Sequence, residues 1–322
     1  MLQAPFPWFG GKSRVGPMVW ERFGDVVNYV EPFAGSLAVL LARPDGWEGS
    51  ETVNDKDGFV ANFWRALQAD PDGVAEAADW PVNENDLHAR HSWLVGQRET
   101  LTARLEGDPT FCDVRIAGWW VWGINCWIGS GFCSGDGPWQ VNDAGQLVHL
   151  GNAGQGVHRK RVHLGNAGRG VHRRRELVAW MRALAARLRR VRVCCGDWGR
   201  VCGPTPTVKQ GLTGVFLDPP YEQDLREAVY RVDHAGLSAD VRTWALAHGD
   251  DPRLRIALCG YQWEHNLPSW TAVPWKANGG YGSQGEGRGR DNAEREVVWF
   301  SPHCLDPQQP TLFGAADVQG AA

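Results

Sequence analysis

Short apolar runs alternate along the chain with longer stretches whose apolar residues recur every three or four positions. Val26-Val27-Asn28-Tyr29-Val30 predicts a first strand, which runs into Glu31-Pro32-Phe33-Ala34-Gly35-Ser36; Leu37 to Ala42 then predicts a helix. Glu51-Thr52-Val53 predicts a second strand ending at Asn54-Asp55, and a helix follows from Lys56 to Leu67. From Asp70 to about Arg175 this alternation stops. Two helices stand out there, Asn85 to Glu106 and the Trp-rich Ile116 to Ile128. Glu176 to Arg190 predicts a basic amphipathic helix with Leu177, Trp180, Met181, Leu184 and Leu188 on one face, and Val191 to Cys194 a third strand. Further on come a strand at Val215 to Leu217, a helix at Leu237 to His248, and strands at Leu254 to Cys259 and Arg295 to Phe300.

Strand, turn and helix in repeated order predict an α/β fold with a doubly wound, Rossmann-like sheet. Residues 1–68 and 176–301 would form it, 69–175 would be an inserted, mainly helical module, and 302–322 a disordered tail. In such a sheet ligands bind at the carboxyl ends of strands, beside the reversal in strand order.

The run Val215-Phe216-Leu217 ends abruptly in Asp218-Pro219-Pro220-Tyr221. Both prolines lack an N–H and hold φ near one value, so nearby carbonyls are left unpaired and point in fixed directions. This suits methylation of an exocyclic amino group on a nucleobase, a poor nucleophile because its lone pair is delocalised into the ring. The Asp218 carboxylate and the Pro219 carbonyl can each accept one amino hydrogen, which localises the lone pair, and Tyr221 can stack on the base. Inside a duplex that nitrogen is out of reach, so the base would have to be flipped out. The plainer reading is a proline-rich turn after a strand.

Three further stretches could hold a ligand. Trp8-Phe9-Gly10-Gly11-Lys12 lets backbone approach a ligand closely at Gly11 and offers Lys12 to a carboxylate or phosphate, or else it is a surface turn. No P-loop spacing surrounds it, and the turn at Glu31–Ser36 lacks the Gly-x-Gly-x-x-Gly of nicotinamide enzymes. Asp55, at the tip of the second strand, can accept hydrogen bonds from a ribose diol or cap the helix behind it. Asp197, after the third strand, either reads the adenine edge of a cofactor or simply ends the strand.

Composition adds a contrast. Net charge is only −4, yet His158 to Arg192 holds twelve Arg or Lys against one acid, Glu176, which points to a local contact with a polyanion. Part of that segment is an internal repeat: His149 to Arg161 recurs, after Val162, as His163 to Arg175. We read the two units as glycine-rich arms, as in a hairpin, whose Arg159, Lys160, Arg161, Arg169, Arg173, Arg174 and Arg175 meet phosphates; the alternative is a duplicated loop with solvated charge. Eight scattered Cys without a Cys-x-x-Cys pair read as reduced thiols and not metal ligands, and no run is long enough to span a bilayer. A cytoplasmic monomer without metal is expected. The eighteen Trp serve mostly as core.

Taken in order, Trp8-x-Gly10-Gly11-Lys12, Glu31-Pro32-Phe33-x-Gly35-Ser36, Asn54-Asp55 and Asp218-Pro219-Pro220-Tyr221 resemble the motifs of the Dam-like, alpha-group DNA adenine methyltransferases. The resemblance implies a class I methyltransferase sheet, S-adenosylmethionine as methyl donor, DNA as partner, and a recognition module between the cofactor and catalytic motifs. By it, Trp8 and Lys12 line the cofactor pocket, Phe33 and Gly35 shape the turn, Asp55 holds the ribose, and Asp218 contacts cofactor and target. Two departures are plain. The family turn carries a second glycine where this chain has Leu37, and the loop around Gly131-Phe132 lacks the arginine with which the family contacts DNA. The expected activity is transfer of a methyl group to adenine N6. Methylation of the cytosine amino group, or a DNA-binding relative without catalysis, are the alternatives.

Overall fold

A computed structural model describes residues 2–8, 11–127, 132, 133, 135, 139–142, 144–149, 174–221, 236–275 and 296–307. In chain order the elements are α1 (Val15–Phe23), β1 (Asn28–Glu31), β2 (Ser50–Asp55), α2 (Gly58–Ala69), α3 (Pro71–Ala78), α4 (Glu84–Gly107), α5 (Val114–Cys126), β3 (Trp139–Val141), β4 (Leu147–His149), α6 (Arg174–Leu188), β5 (Arg192–Cys195), α7 (Gly199–Cys202), β6 (Thr213–Leu217), α8 (Leu237–His248), β7 (Leu254–Tyr261), β8 (Thr271–Pro274) and β9 (Glu296–Phe300).

Seven strands form one sheet in the order β5-β2-β1-β6-β7-β9-β8. The first five are parallel, and β9 runs antiparallel to both of its neighbours. Strand order reverses between β1 and β6, so the switch point lies where the Glu31–Ser36 turn and the Asp218–Tyr221 turn leave adjacent strands. Side chains alternate between two buried layers, as the two-residue period of a strand requires. Tyr29, Val53, Phe216, Cys259, Val298 and Phe300 face one layer, filled by α1 to α6. Val30, Val215, Leu217, Leu258, Val297 and Trp299 face the other, filled by α7 and α8. Coverage on both faces explains why the central strands read as unbroken apolar runs.

Close approach of the first layer rests on small residues. A Cβ at Gly214 would lie 2.6 Å from the Phe23 ring, so glycine there lets the end of α1 settle on β6. Helices α3, α4 and α5, expected as an insertion, share one continuous apolar core with α2 and α6. Arg65 of α2 ties these layers together by donating to the carbonyls of Val193, Leu105 and Asp108. A two-stranded antiparallel hairpin does occur, but between β3 and β4, immediately upstream of the expected arms. Residues 150–173 lie outside the described residues, and with them Arg159, Lys160, Arg161, Arg169 and Arg173; Arg174 and Arg175 open α6. The glycine-rich stretch at 279–290 also lies outside them.

Two expectations need correction. Leu37 to Ala42 does not form a regular helix; only a single 3-10 turn at Leu40–Ala42 follows the first strand. Leu37 takes φ +54°, a left-handed backbone, so it cannot itself belong to a right-handed helix. The tail is ordered beyond 301: the Leu305 N–H donates to the Arg22 carbonyl at 2.8 Å, pinning residues 302–307 against α1. Residues 308–322 lie outside the described residues.

Three strand tips are laced together at the carboxyl edge. The Asn54 side-chain amide donates to the carbonyls of Pro32 (3.1 Å) and Gly196 (3.0 Å), while the Asn54 carbonyl accepts from Ala34 N–H at 2.8 Å. Asn54 is 1% exposed, so no water replaces these bonds. Asn54→Ala should therefore lower stability by roughly 2–3 kcal/mol in urea unfolding, because two buried carbonyls lose their donor. Asn54→Asp should cost more at neutral pH, since it turns a carboxylate toward the same two carbonyls.

Candidate functional site

The site is built from what leaves the carboxyl ends of β1, β2 and β6. Register places Glu31 opposite Val53 and Val30 opposite Val215. Asp55 closes β2 and Asp218 follows β6, the two neighbours of β1, so both carboxylates border the turn that leaves β1. Two strand spacings separate them, about 10 Å.

Lys12 brings the N-terminal segment into this site. Its ammonium lies 3.0 Å from Asp218 Oδ1 and 3.4 Å from Glu296 Oε2, and it sits 5.1 Å from the centre of the Tyr221 ring and 5.4 Å from that of Trp275. The Tyr221 hydroxyl donates to Asp218 Oδ1 at 3.1 Å and approaches Glu296 Oε2 at 3.5 Å. Lys12 and Glu296 are almost sealed, with side chains 5% and 8% exposed, whereas Asp218 keeps 21%. Asp218 is accordingly the carboxylate that a ligand can touch. On the next strand, burial pushes the Cys259 thiol far above its ordinary range, and the charge of Asp218 adds to this. The ring of Tyr221 is itself covered: it is buried, edge-on to Tyr261 at 4.9 Å. Tyr261 in turn stacks on Trp263, which is 60% exposed.

The turn after β1 is held by β2. Gly35 N–H donates to Asp55 Oδ2 at 2.9 Å, and Asp57 N–H donates to Asp55 Oδ1 at 2.8 Å. Asp55 thus fixes the turn and opens the path to α2, while Asp57, not Asp55, caps that helix by accepting from Phe59 N–H. Gly35 adopts φ +44°, and a Cβ there would collide with the Trp8 indole, which lies directly on it. Leu37, two residues on, keeps the left-handed backbone that a glycine would adopt freely, at a cost of about 1–2 kcal/mol; full burial of its side chain offsets that cost. Gly11 is different: it is exposed, and a Cβ there would meet only the Trp8 carbonyl at an ordinary 3.7 Å.

Beyond Phe33 lies the tip of β5. Phe33 stacks on Trp198 with ring centres 6.1 Å apart, which gives the edge of the site an aromatic wall. Asp197, beside it, is exposed and accepts from Gly199 N–H at 2.9 Å. Among the described residues, no group of three or more His, Cys, Asp or Glu could hold a metal ion, and no helix is long and apolar enough to cross a membrane.

Glu296 escaped the sequence reading, and Glu31 and Asn54 entered it only as parts of motifs, without a role in the site. A signal for Glu296 existed. In the strand expected at its position, Glu296, Val298 and Phe300 share one face by the two-residue period, so a carboxylate stands where an apolar residue belongs. No protein-family model matches this chain, and no curated protein matches it.

Glu31 is fully buried, accepts the Tyr29 hydroxyl at 2.9 Å, and has its pKa raised to about 8, first by burial and further by the nearby charge of Asp218. Unfolded, it ionises near 4.5; folded, it keeps its proton to about 8. Its contribution to stability must then fall as pH rises through that window and level off above it. Glu31→Gln should remove the decline, so its stability relative to the parent should rise from pH 5 to pH 8 by a few kcal/mol, at about 1.36 kcal/mol per unit, in denaturant titrations across that range.

Proposed function

We propose that this protein is an S-adenosylmethionine-dependent methyltransferase acting on the N6 amino group of adenine in DNA. The observation that carries the reading is the meeting of Lys12, the Gly35 turn, Asp55 and Asp218 at one switch point, since these come from four separate sequence motifs. The strand order supports it. Numbered within the sheet it runs 3-2-1-4-5-7-6, the Rossmann order with one reversed strand inserted near the edge, as a class I methyltransferase sheet would have.

The residues fit the methyl donor by chemistry. Asp55, half-buried at the tip of β2, offers a carboxylate to a ribose diol. Phe33 and Trp198 offer an aromatic wall to an adenine ring. The acidic cluster at Asp218 offers negative charge to a cationic centre. S-adenosylmethionine, when bound, supplies an electrophilic methyl group on sulfur.

The chain's own part in the reaction is positional and electrostatic. Asp218 is pre-aimed by Lys12 and Tyr221, so little reorganisation is needed for it to accept one amino hydrogen. The Pro219 carbonyl takes the second. For Tyr221 to stack on a flipped base, its ring has to leave the Lys12 ammonium and turn outward, while Tyr261 and Trp263 continue the aromatic surface toward solvent. The basic residues of the repeat, Arg159 to Arg175, would supply phosphate contacts.

Asp218→Ala should lower methyl incorporation from S-adenosylmethionine into DNA by at least roughly 10²–10³-fold, with DNA retention on filters preserved. Digestion of the labelled DNA to nucleosides should give N6-methyladenine. N4-methylcytosine would move the target to the other base, and no label with the parent protein would leave only DNA binding.

A further inference from the structure

Glu296 has no part in the scheme above, yet it is more enclosed than Asp218 and is joined to it through Lys12 and Tyr221. It begins β9, the reversed strand, and lies opposite Tyr261 of β7. Both polar bridges from Asp218 Oδ1 end on the same Glu296 oxygen: one runs through the Lys12 ammonium (3.0 and 3.4 Å), the other through the Tyr221 hydroxyl (3.1 and 3.5 Å). A carboxyl used only to neutralise Lys12 would need one contact. Two bridges from one acceptor atom to one buried oxygen make a proton path.

We infer that Glu296 is the proton sink of the transfer step: the proton given up by the target amino group is taken by Asp218 and passed through the Lys12 ammonium to Glu296. This rests on the function proposed above. As the nitrogen lone pair forms the N–C bond, the S–C electron pair stays on sulfur, and one N–H proton is left over. Asp218 accepts it. Lys12 then gives one of its protons to Glu296 and takes the one on Asp218, so the ammonium and the Asp218 carboxylate are restored and Glu296 ends neutral.

The surroundings favour that end state. Burial holds the Glu296 carboxyl above its ordinary range and the charge of Asp218 pushes it further, although Lys12 and the Tyr221 hydrogen bond oppose both. The titratable groups facing it are Lys12, Asp218 and Tyr221, with Cys259 on β7 beyond Asp218. Glu296 touches neither substrate in this scheme; it positions Lys12 and receives the proton, and its loss should act on turnover and not on binding.

The test compares the parent with Glu296→Gln and Glu296→Asp, using S-adenosylmethionine and duplex DNA, with kcat followed against pH. In Glu296→Gln, kcat should drop on the order of 10²-fold, with both KM values within about twofold and the acid limb of the profile gone; Glu296→Asp should recover part of the rate with a displaced limb. Infrared spectra of the ligand-free protein give an independent readout. A protonated-carboxyl band should titrate with the acid limb in the parent and vanish in Glu296→Gln. A Glu296→Gln profile that overlays the parent, a loss confined to KM, or absence of that band overturns the assignment. Should Glu296→Gln melt far below the parent, Glu296→Asp decides, and an unshifted profile there overturns it equally. A parent protein that transfers no methyl to DNA removes the proposed function and the assignment together, whereas an active parent with an unchanged Glu296→Gln profile removes the assignment alone.

Discussion

A buried ammonium cannot stand alone, and much of the architecture around the switch point follows from that constraint. Lys12 is 4% exposed. Removing such a charge from water costs several kcal/mol even after relaxation, so it is tolerated only where opposite charge and hydrogen bonds meet it. Asp218 and Glu296 do so from two strands that run in opposite directions and lie far apart in sequence. The N-terminal segment, the tip of β6 and the start of β9 are thereby held at one point. Without the lysine, two carboxyl groups would share a nearly dry space, and the segment before α1 would have no charged tether to the sheet.

The opposite side of the site depends on backbone, not charge. Between β1 and the 3-10 turn the chain takes a left-handed step twice, at Gly35 and at Leu37. Each step has its own reason. At Gly35 the Trp8 indole occupies the place of a side chain, so only glycine fits. At Leu37 space exists and is filled by a fully buried leucine, with burial worth about 1.5–3 kcal/mol against a conformational cost of similar size. Asp55 then ties Gly35 to β2, and Asn54 ties Pro32 to β2 and β5. The turn is rigid because three strands hold it.

Most of the sheet was legible because its strands are short apolar runs with sharp ends. Leu237–His248 forms α8 with the bounds expected, and the expected helix at Asn85–Glu106 matches α4 within a residue at each end. What was missed has physical causes. Helix α1 carries Gly16 and Pro17, which read as breakers, but both fall in the first turn, where the proline's absent N–H would have had no partner anyway. Strand β8 is mostly exposed and contains Pro274, tolerable because it lies at the sheet edge, so it has no apolar pattern to read. Four motifs identified Lys12, Gly35, Asp55 and Asp218 separately, but nothing local showed that Lys12 binds Asp218. That contact joins segments far apart in the chain, and Glu296 reaches Lys12 only from the reversed strand.

Charge balance links the fold to its chemistry. Glu31, Asp218 and Glu296 occupy one face of the sheet with a single ammonium among them, and were all three ionised the cluster would carry a net negative charge in a region nearly without water. Burial opposes this by raising the affinity of Glu31 and Glu296 for protons. Glu31, the deepest of the three, keeps its proton to about 8, while Glu296 is paired with the Lys12 ammonium. That leaves Asp218, the most exposed of the three, as the acceptor at the mouth of the cluster. The division follows from depth: a carboxyl inside the sheet layer must be either neutral or paired, whereas one on a strand tip can also meet a ligand.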